Sequence, residues 1–226
     1  APDIMTMAKF LVEDGRCRWA FSGSMLGTQF KGVRSYPVGY VHELRMFPLD
    51  FEEFCWAIGV SEGARQTIRD ACISEKPIPD YIHDAMMANF RTYTVVGGMP
   101  EVVQRFLDTR GDLASVRQLQ SELNEQYRRD ISKYASGRAL QVQSIYDQLP
   151  IMLEGENKRF VLNSIDPKAH YDKYQRDFVW LVDAGVALKA DIVTEPKSPL
   201  LKTARPSQFK LYQSDTGMLM ARYPVG

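Results

Sequence analysis

Cysteine and histidine are scarce in this chain, three of each, and charge of either sign is not in excess: 28 Lys and Arg balance 28 Asp and Glu. Cys17, Cys55 and Cys72 lie far apart with no CxxC spacing, and His42, His83 and His170 are isolated. A zinc site or an acid–base constellation is therefore excluded, and the cysteines read as small core hydrophobes in a reducing compartment. Charge balance excludes a bulk field that would hold the whole chain on nucleic acid or a membrane, so any basic surface must be local. No apolar run approaches the roughly 18 residues of a bilayer span. The opening APDIMTMAKF lacks a basic segment leading into a long apolar stretch. A cytoplasmic protein without membrane contact is expected. Opening without an initiator Met and closing on Tyr-Pro-Val-Gly, the sequence reads as an internal piece of a longer protein.

What is present is apolar residue content, 45% of 226 residues, enough for a sizeable core. Ile4, Met7, Ala8, Leu11 and Val12 recur at helical spacing before Asp14-Gly15. Alternation over residues 17–21 and again over 38–47 predicts two strands, the second ended by Pro48. From residue 50 the pattern is helical, in segments 50–58, 61–74, 79–96, 100–109 and 112–134. Ser61 caps one helix, Pro79 starts another, and Gly97-Gly98 stops it. After Gly137 come a helix over 139–153, a short strand over 160–163 and a helix over 168–183. Strands over 186–193 and 208–212 follow, joined by the loop TEPKSPLLKTARPS. Two helices followed by a hairpin with a long basic loop is the order of a winged helix-turn-helix.

Three places carry candidate chemistry. Ser22 and Ser24 close the first predicted strand, and ligands gather at the carboxyl ends of strands in open α/β sheets. In the helix 168–183, Tyr174, Phe178, Leu181 and Val182 form an apolar stripe that leaves Lys173, Gln175 and Arg176 on the other side. With Lys197, Lys202 and Arg205 in the loop, these residues offer cations and an amide to DNA, although Asp172, Asp177 and Asp183 beside them would repel phosphate. DNA contact and use of the winged helix as a protein-packing module both stand at this point. Asp215 and Gly217, in the SDTG turn, cap and open a last helix. The paired acids Glu52 and Glu53 read as structural, and the helix 112–134 as core packing with a solvated Arg128, Arg129, Asp130 face.

The segments FSGSMLG, SYPVGYVHELRMFPLDFEEF, VVGGMPEVVQRF, YRRDISKY and FKLYQSDTGMLMA occur in that order over nearly the whole chain. Together they resemble predicted prokaryotic AAA+ superfamily ATPases that join a P-loop domain, a winged helix and a C-terminal nuclease-like domain. The resemblance implies an α/β remnant followed by mostly α structure. Residues 1–48 would be the C-terminal part of an AAA+ nucleotide-binding domain, 49–137 a helical lid and 138–226 a winged-helix domain. It implies that Ser22 and Ser24 sense the γ-phosphate. It makes architectural elements of Pro48, Leu49, Phe51, Glu52 and Phe54, and of Gly97, Gly98 and Pro100. Relatives carry a Gly-Arg pair before the Pro-Leu element, whereas Gly39 is followed here by Tyr40, leaving Arg34 or Arg45 as the candidate finger arginine. ATP and magnesium would be cofactors of the parent protein. The sequence has neither a GxxxxGK[ST] loop nor a strand ending in paired acids, so this chain alone is not expected to hydrolyse ATP or hold it tightly.

The alternative function is a DNA-binding or regulatory winged-helix module without catalysis. A third is an adaptor that self-associates as a homo-oligomer.

Overall fold

In a computed structural model, residues 2–23, 39–135 and 137–224 are described. Among these residues the chain is mostly helical, with one small two-stranded sheet. In order come α1 (Pro2–Glu13), α2 (Phe51–Ala57), α3 (Glu62–Ser74), α4 (Asp80–Val96), α5 (Pro100–Asp108), α6 (Leu113–Tyr134), α7 (Ala139–Glu154) and α8 (Tyr171–Asp183). Then follow β1 (Ala187–Val193), β2 (Ala204–Gln213) and α9 (Thr216–Met220).

Two compact units divide the chain, one of Ala1–Phe47 with Ile131–Tyr212 and one of Pro48–Asp130 with Gln213–Gly226. The three consecutive segments expected, 1–48, 49–137 and 138–226, thus differ from the units found. Residues 213–226 join the helical block, because α9 carries Met218 into the core of α2, α4, α5 and α6.

That core contains Phe54, Val96, Val102, Val103, Val116, Leu119, Leu123 and Met218, with Phe51, Tyr93 and Phe106 packed around it. Local chemistry sets the helix ends. Asp50 and Glu53 form a reciprocal capping box on α2, and Ser61 caps α3. Glu52 is an ion-pair partner of Arg65 and Arg69. Both acids are therefore structural here.

The other unit centres on α7, α8 and the hairpin. Ile145, Tyr146 and Leu149 of α7 are buried, as are Tyr174, Phe178 and Leu181 of α8. β2 turns Phe209 and Leu211 inward at the two-residue period of a strand. Phe160, Phe178 and Phe209 meet ring to ring, with centroids 4.8 to 6.1 Å apart.

The strand expectations at 17–21 and 38–47 are corrected. Among the described residues no strand precedes Ala187. Alternation makes a segment compatible with a sheet, but a strand exists only when a neighbour takes its N–H and C=O groups. Here Leu44 and Met46 are 81% and 93% exposed. The strand expected over 160–163 reduces to one bond, Phe160 N–H donating to the Phe209 carbonyl at 3.1 Å, before a 3-10 turn at Leu162–Ser164. The helix expected from 168 begins at Tyr171, because residues 166–169 close a turn of their own. Cys55 is buried as expected, whereas Cys17 and Cys72 are exposed and fill no core.

Candidate nucleic-acid interface

The inward stripe of α8 orients the rest of the helix. With Tyr174, Phe178 and Leu181 buried, Asp172, Lys173, Gln175, Arg176 and Val179 are left exposed. Two contacts hold this face at its ends. Arg45 donates to the carbonyl of Val182 in the last turn. At the other end Arg138, just before α7, grips Asp177: Nε donates to Oδ1 at 2.6 Å and NH2 to Oδ2 at 2.5 Å. NH2 also donates to the Lys173 carbonyl at 2.8 Å, and the guanidinium lies 6.0 Å from the Tyr174 ring centre. The Asp177 hydrogen bonds push the Arg138 guanidinium above its ordinary value.

This grip changes the electrostatics of α8. Asp177 is 2% exposed and paired, so it does not oppose an approaching phosphate, whereas Asp172 is exposed beside the face. Lys173 lies 3.8 Å from Asp166 and Lys197 2.6 Å from Glu195, while Lys189 pairs with Asp191. Among the described residues Arg176, Lys202 and Arg205 have no ion-pair partner, and all three are exposed. Lys202 lies in the 3-10 turn Leu200–Thr203 and Arg205 at the start of β2.

The hairpin sits against the same helix. Val186 N–H donates to the Leu181 carbonyl at 3.0 Å, and Phe178 meets Phe209 edge to face. The α8 face and the β1–β2 loop therefore belong to one packed unit, and Lys173, Gln175, Arg176, Lys202 and Arg205 all lie at its surface.

The sensor expectation finds less. Ser22 is exposed, in an irregular segment rather than at a strand end. Ser24 and Arg34 lie outside the described residues. Arg45, the other candidate finger, is engaged with Val182. Among the described residues no group of three His, Cys, Asp or Glu side chains could hold a metal ion.

A second polar cluster, buried in the helical unit, brings together the Pro48-Leu49 element, the Gly97-Gly98 turn and the SDTG turn. Asp215 accepts from Gly98 N–H at 2.6 Å and from Met218 N–H at 2.8 Å. Leu49 N–H donates to the Gly98 carbonyl at 2.7 Å, and Tyr93 Oη donates to the Leu49 carbonyl at 2.8 Å. Gln120 donates to the carbonyls of Val95 and Val96, both at 2.9 Å, and Asn124 to that of Met218 at 3.0 Å. The chains approach so closely that a Cβ on Gly98 would lie 1.9 Å from Leu49 O, and one on Gly217 2.2 Å from Val96 O. Burial pushes the Asp215 carboxyl above its usual range, while the backbone N–H groups of Gly98, Met218, Gly217 and Met99 pull it down. Every partner here is internal, so the cluster is a latch. The cap on α9 was legible in SDTG, but its bond to Gly98, 117 residues away, was not.

Comparison with known families finds one match. A family described as Domain of unknown function (DUF8612) matches residues 87–225, more than half of the chain. No curated protein and no solved structure matches it. Among the described residues no helix is long and apolar enough to cross a membrane.

Proposed function

We propose, from the premise that this chain belongs to the DUF8612 family, that residues 131–212 are a winged helix that binds a nucleic-acid duplex through α8 and the β1–β2 loop. The observation that carries this reading is the set of unpaired exposed cations, Arg176, Lys202 and Arg205, on one unit from which the opposing acid Asp177 has been withdrawn. Arg and Gln on an exposed helix face match the bidentate edges of guanine and adenine in a major groove. Lys173, Lys202 and Arg205 fit phosphate contacts, which fix register without reading sequence. The element order supports it too: a helix, one residue bonded to β2, a short turn, a second helix and a hairpin.

The wider setting is that of an AAA+-type ATPase, with the helical unit as its lid region. That part rests on the resemblance of the five motifs, as do ATP, magnesium, homo-oligomerisation and a cytoplasmic location.

The test is fluorescence anisotropy of a labelled duplex titrated with the whole chain across a salt series. Three phosphate contacts give a slope of about −2.7 in log K against log salt, a loss of roughly fortyfold between about 50 and 200 mM. Flat or negligible binding at low salt would sink the reading.

A further inference from the structure

Two large apolar side chains stand at the tip of the β1–β2 loop, where no core receives them. Leu200 and Leu201 open the 3-10 turn Leu200–Thr203 and are 55% and 76% exposed. The turn is closed by its own bonds. Thr203 Oγ1 donates to the Glu195 carbonyl at 2.8 Å, Thr194 N–H to the Thr203 carbonyl at 3.1 Å, and Lys202 N–H to the Pro199 carbonyl at 3.0 Å. The leucines are thus held in water on an internally bonded scaffold, an arrangement that costs solvation and returns no packing in the free protein. Lys202 and Arg205 follow at once, exposed and, among the described residues, without ion-pair partners.

We propose that Leu200 and Leu201 are a wedge that enters the minor groove of a nucleic-acid duplex and partly unstacks a base step, while Lys202 and Arg205 hold the flanking phosphates. This rests on the nucleic-acid reading above and adds how the loop engages the duplex. A polyanion whose interior is a stack of apolar faces is complementary to an apolar pair followed by cations. Insertion of leucine-sized side chains between base steps is an established way to kink a duplex. A lipid surface presents related chemistry, but anionic headgroups are held by clusters of about four to eight basic residues. This tip has two unpaired cations and carries Glu195.

The experiment uses the whole chain and a mixed-sequence duplex with 2-aminopurine at its flexible pyrimidine–purine steps. Wild type is expected to raise the fluorescence saturably as the base unstacks. The Leu200→Ser, Leu201→Ser double variant should bind roughly tenfold more weakly and show no rise at saturation. Arg176→Glu should weaken binding yet keep the rise once saturated. Both leucines are exposed, so the melting profile should be unchanged, and Leu201→Ser alone repeats the readout with the smallest disturbance. Binding without a rise, or an equal rise in the double variant, overturns the wedge and leaves the nucleic-acid reading standing. Absence of duplex binding overturns both. Leucine-dependent binding to phosphatidylserine vesicles, with none of the duplex effects, would assign the tip to lipid and overturn the wedge.

Discussion

Replacing Asp215 with Ala should destabilise the helical unit well beyond the loss of an ordinary helix cap. The Met218 N–H contact is the cap of α9, and such caps contribute about 0.5 to 2 kcal/mol. The Gly98 N–H contact joins a second chain segment, and a buried donor left without a partner costs about 1 to 3 kcal/mol. Burial of the carboxylate opposes these gains. A net loss of about 2 to 3 kcal/mol follows, a large part of the roughly 5 to 15 kcal/mol that holds a domain folded. Because the chain has two compact units, a single transition is not assumed. Trp56 lies in the same unit as Asp215, whereas Trp19 and Trp180 lie in the other. With those two changed to Phe, urea denaturation followed by Trp56 fluorescence reads the relevant unit. A loss below about 1 kcal/mol would refute the claim that the two N–H groups depend on this carboxylate.

Four further outcomes are expected. Burial raises the Asp215 pKa above its ordinary 3.8, so its contribution is fully present below that value and is lost as pH rises through the raised folded value. The stability advantage of wild type over Asp215→Asn should therefore narrow with rising pH in urea midpoints; a widening gap would mean that the N–H donors outweigh burial. Gly98→Ala, whose Cβ would meet Leu49 O at 1.9 Å, should cost more than about 3 kcal/mol or prevent folding, whereas Gly63→Ala, with nothing near, should be neutral or better by thermal melting. Arg138→Met strands the buried Asp177 carboxylate and should cost about 3 to 5 kcal/mol, with recovery when Asp177→Leu is added; a single variant as stable as wild type would show the pair to be dispensable. Arg176→Glu should weaken duplex binding by roughly tenfold or more without moving the melting curve, since its side chain touches no core.

Much of the helical block could be read from residue order because its punctuation is local. Asp50, Ser61 and Asp215 cap helices through their own nearby N–H groups, and Gly97 and Pro100 stop and start helices by backbone geometry alone. The apolar stripe of α8, and hence the exposure of Lys173, Gln175 and Arg176, also follows from spacing within a single helix. That residues 17–21 and 39–47 form no paired strand was not legible, since alternation is shared by a paired strand and by an unpaired extended segment. Only a neighbouring chain distinguishes the two.

The tertiary structure decided what depends on distant partners. Asp177 was read as a charge opposing phosphate, and Arg138, 39 residues away, turns it into a buried anchor. Gly98, Gly217 and Leu49 carry no sign in the sequence that their backbones must nearly touch. The last residues follow the hairpin in sequence but belong to the helical unit, because Met218 completes its core and Asp215 bonds Gly98. Local preference, summed over a few residues, determined the helices and their caps. Which charges are spent on internal partners, and which remain for a ligand, is a property of chain segments brought together over a hundred residues apart, and only packing decides it.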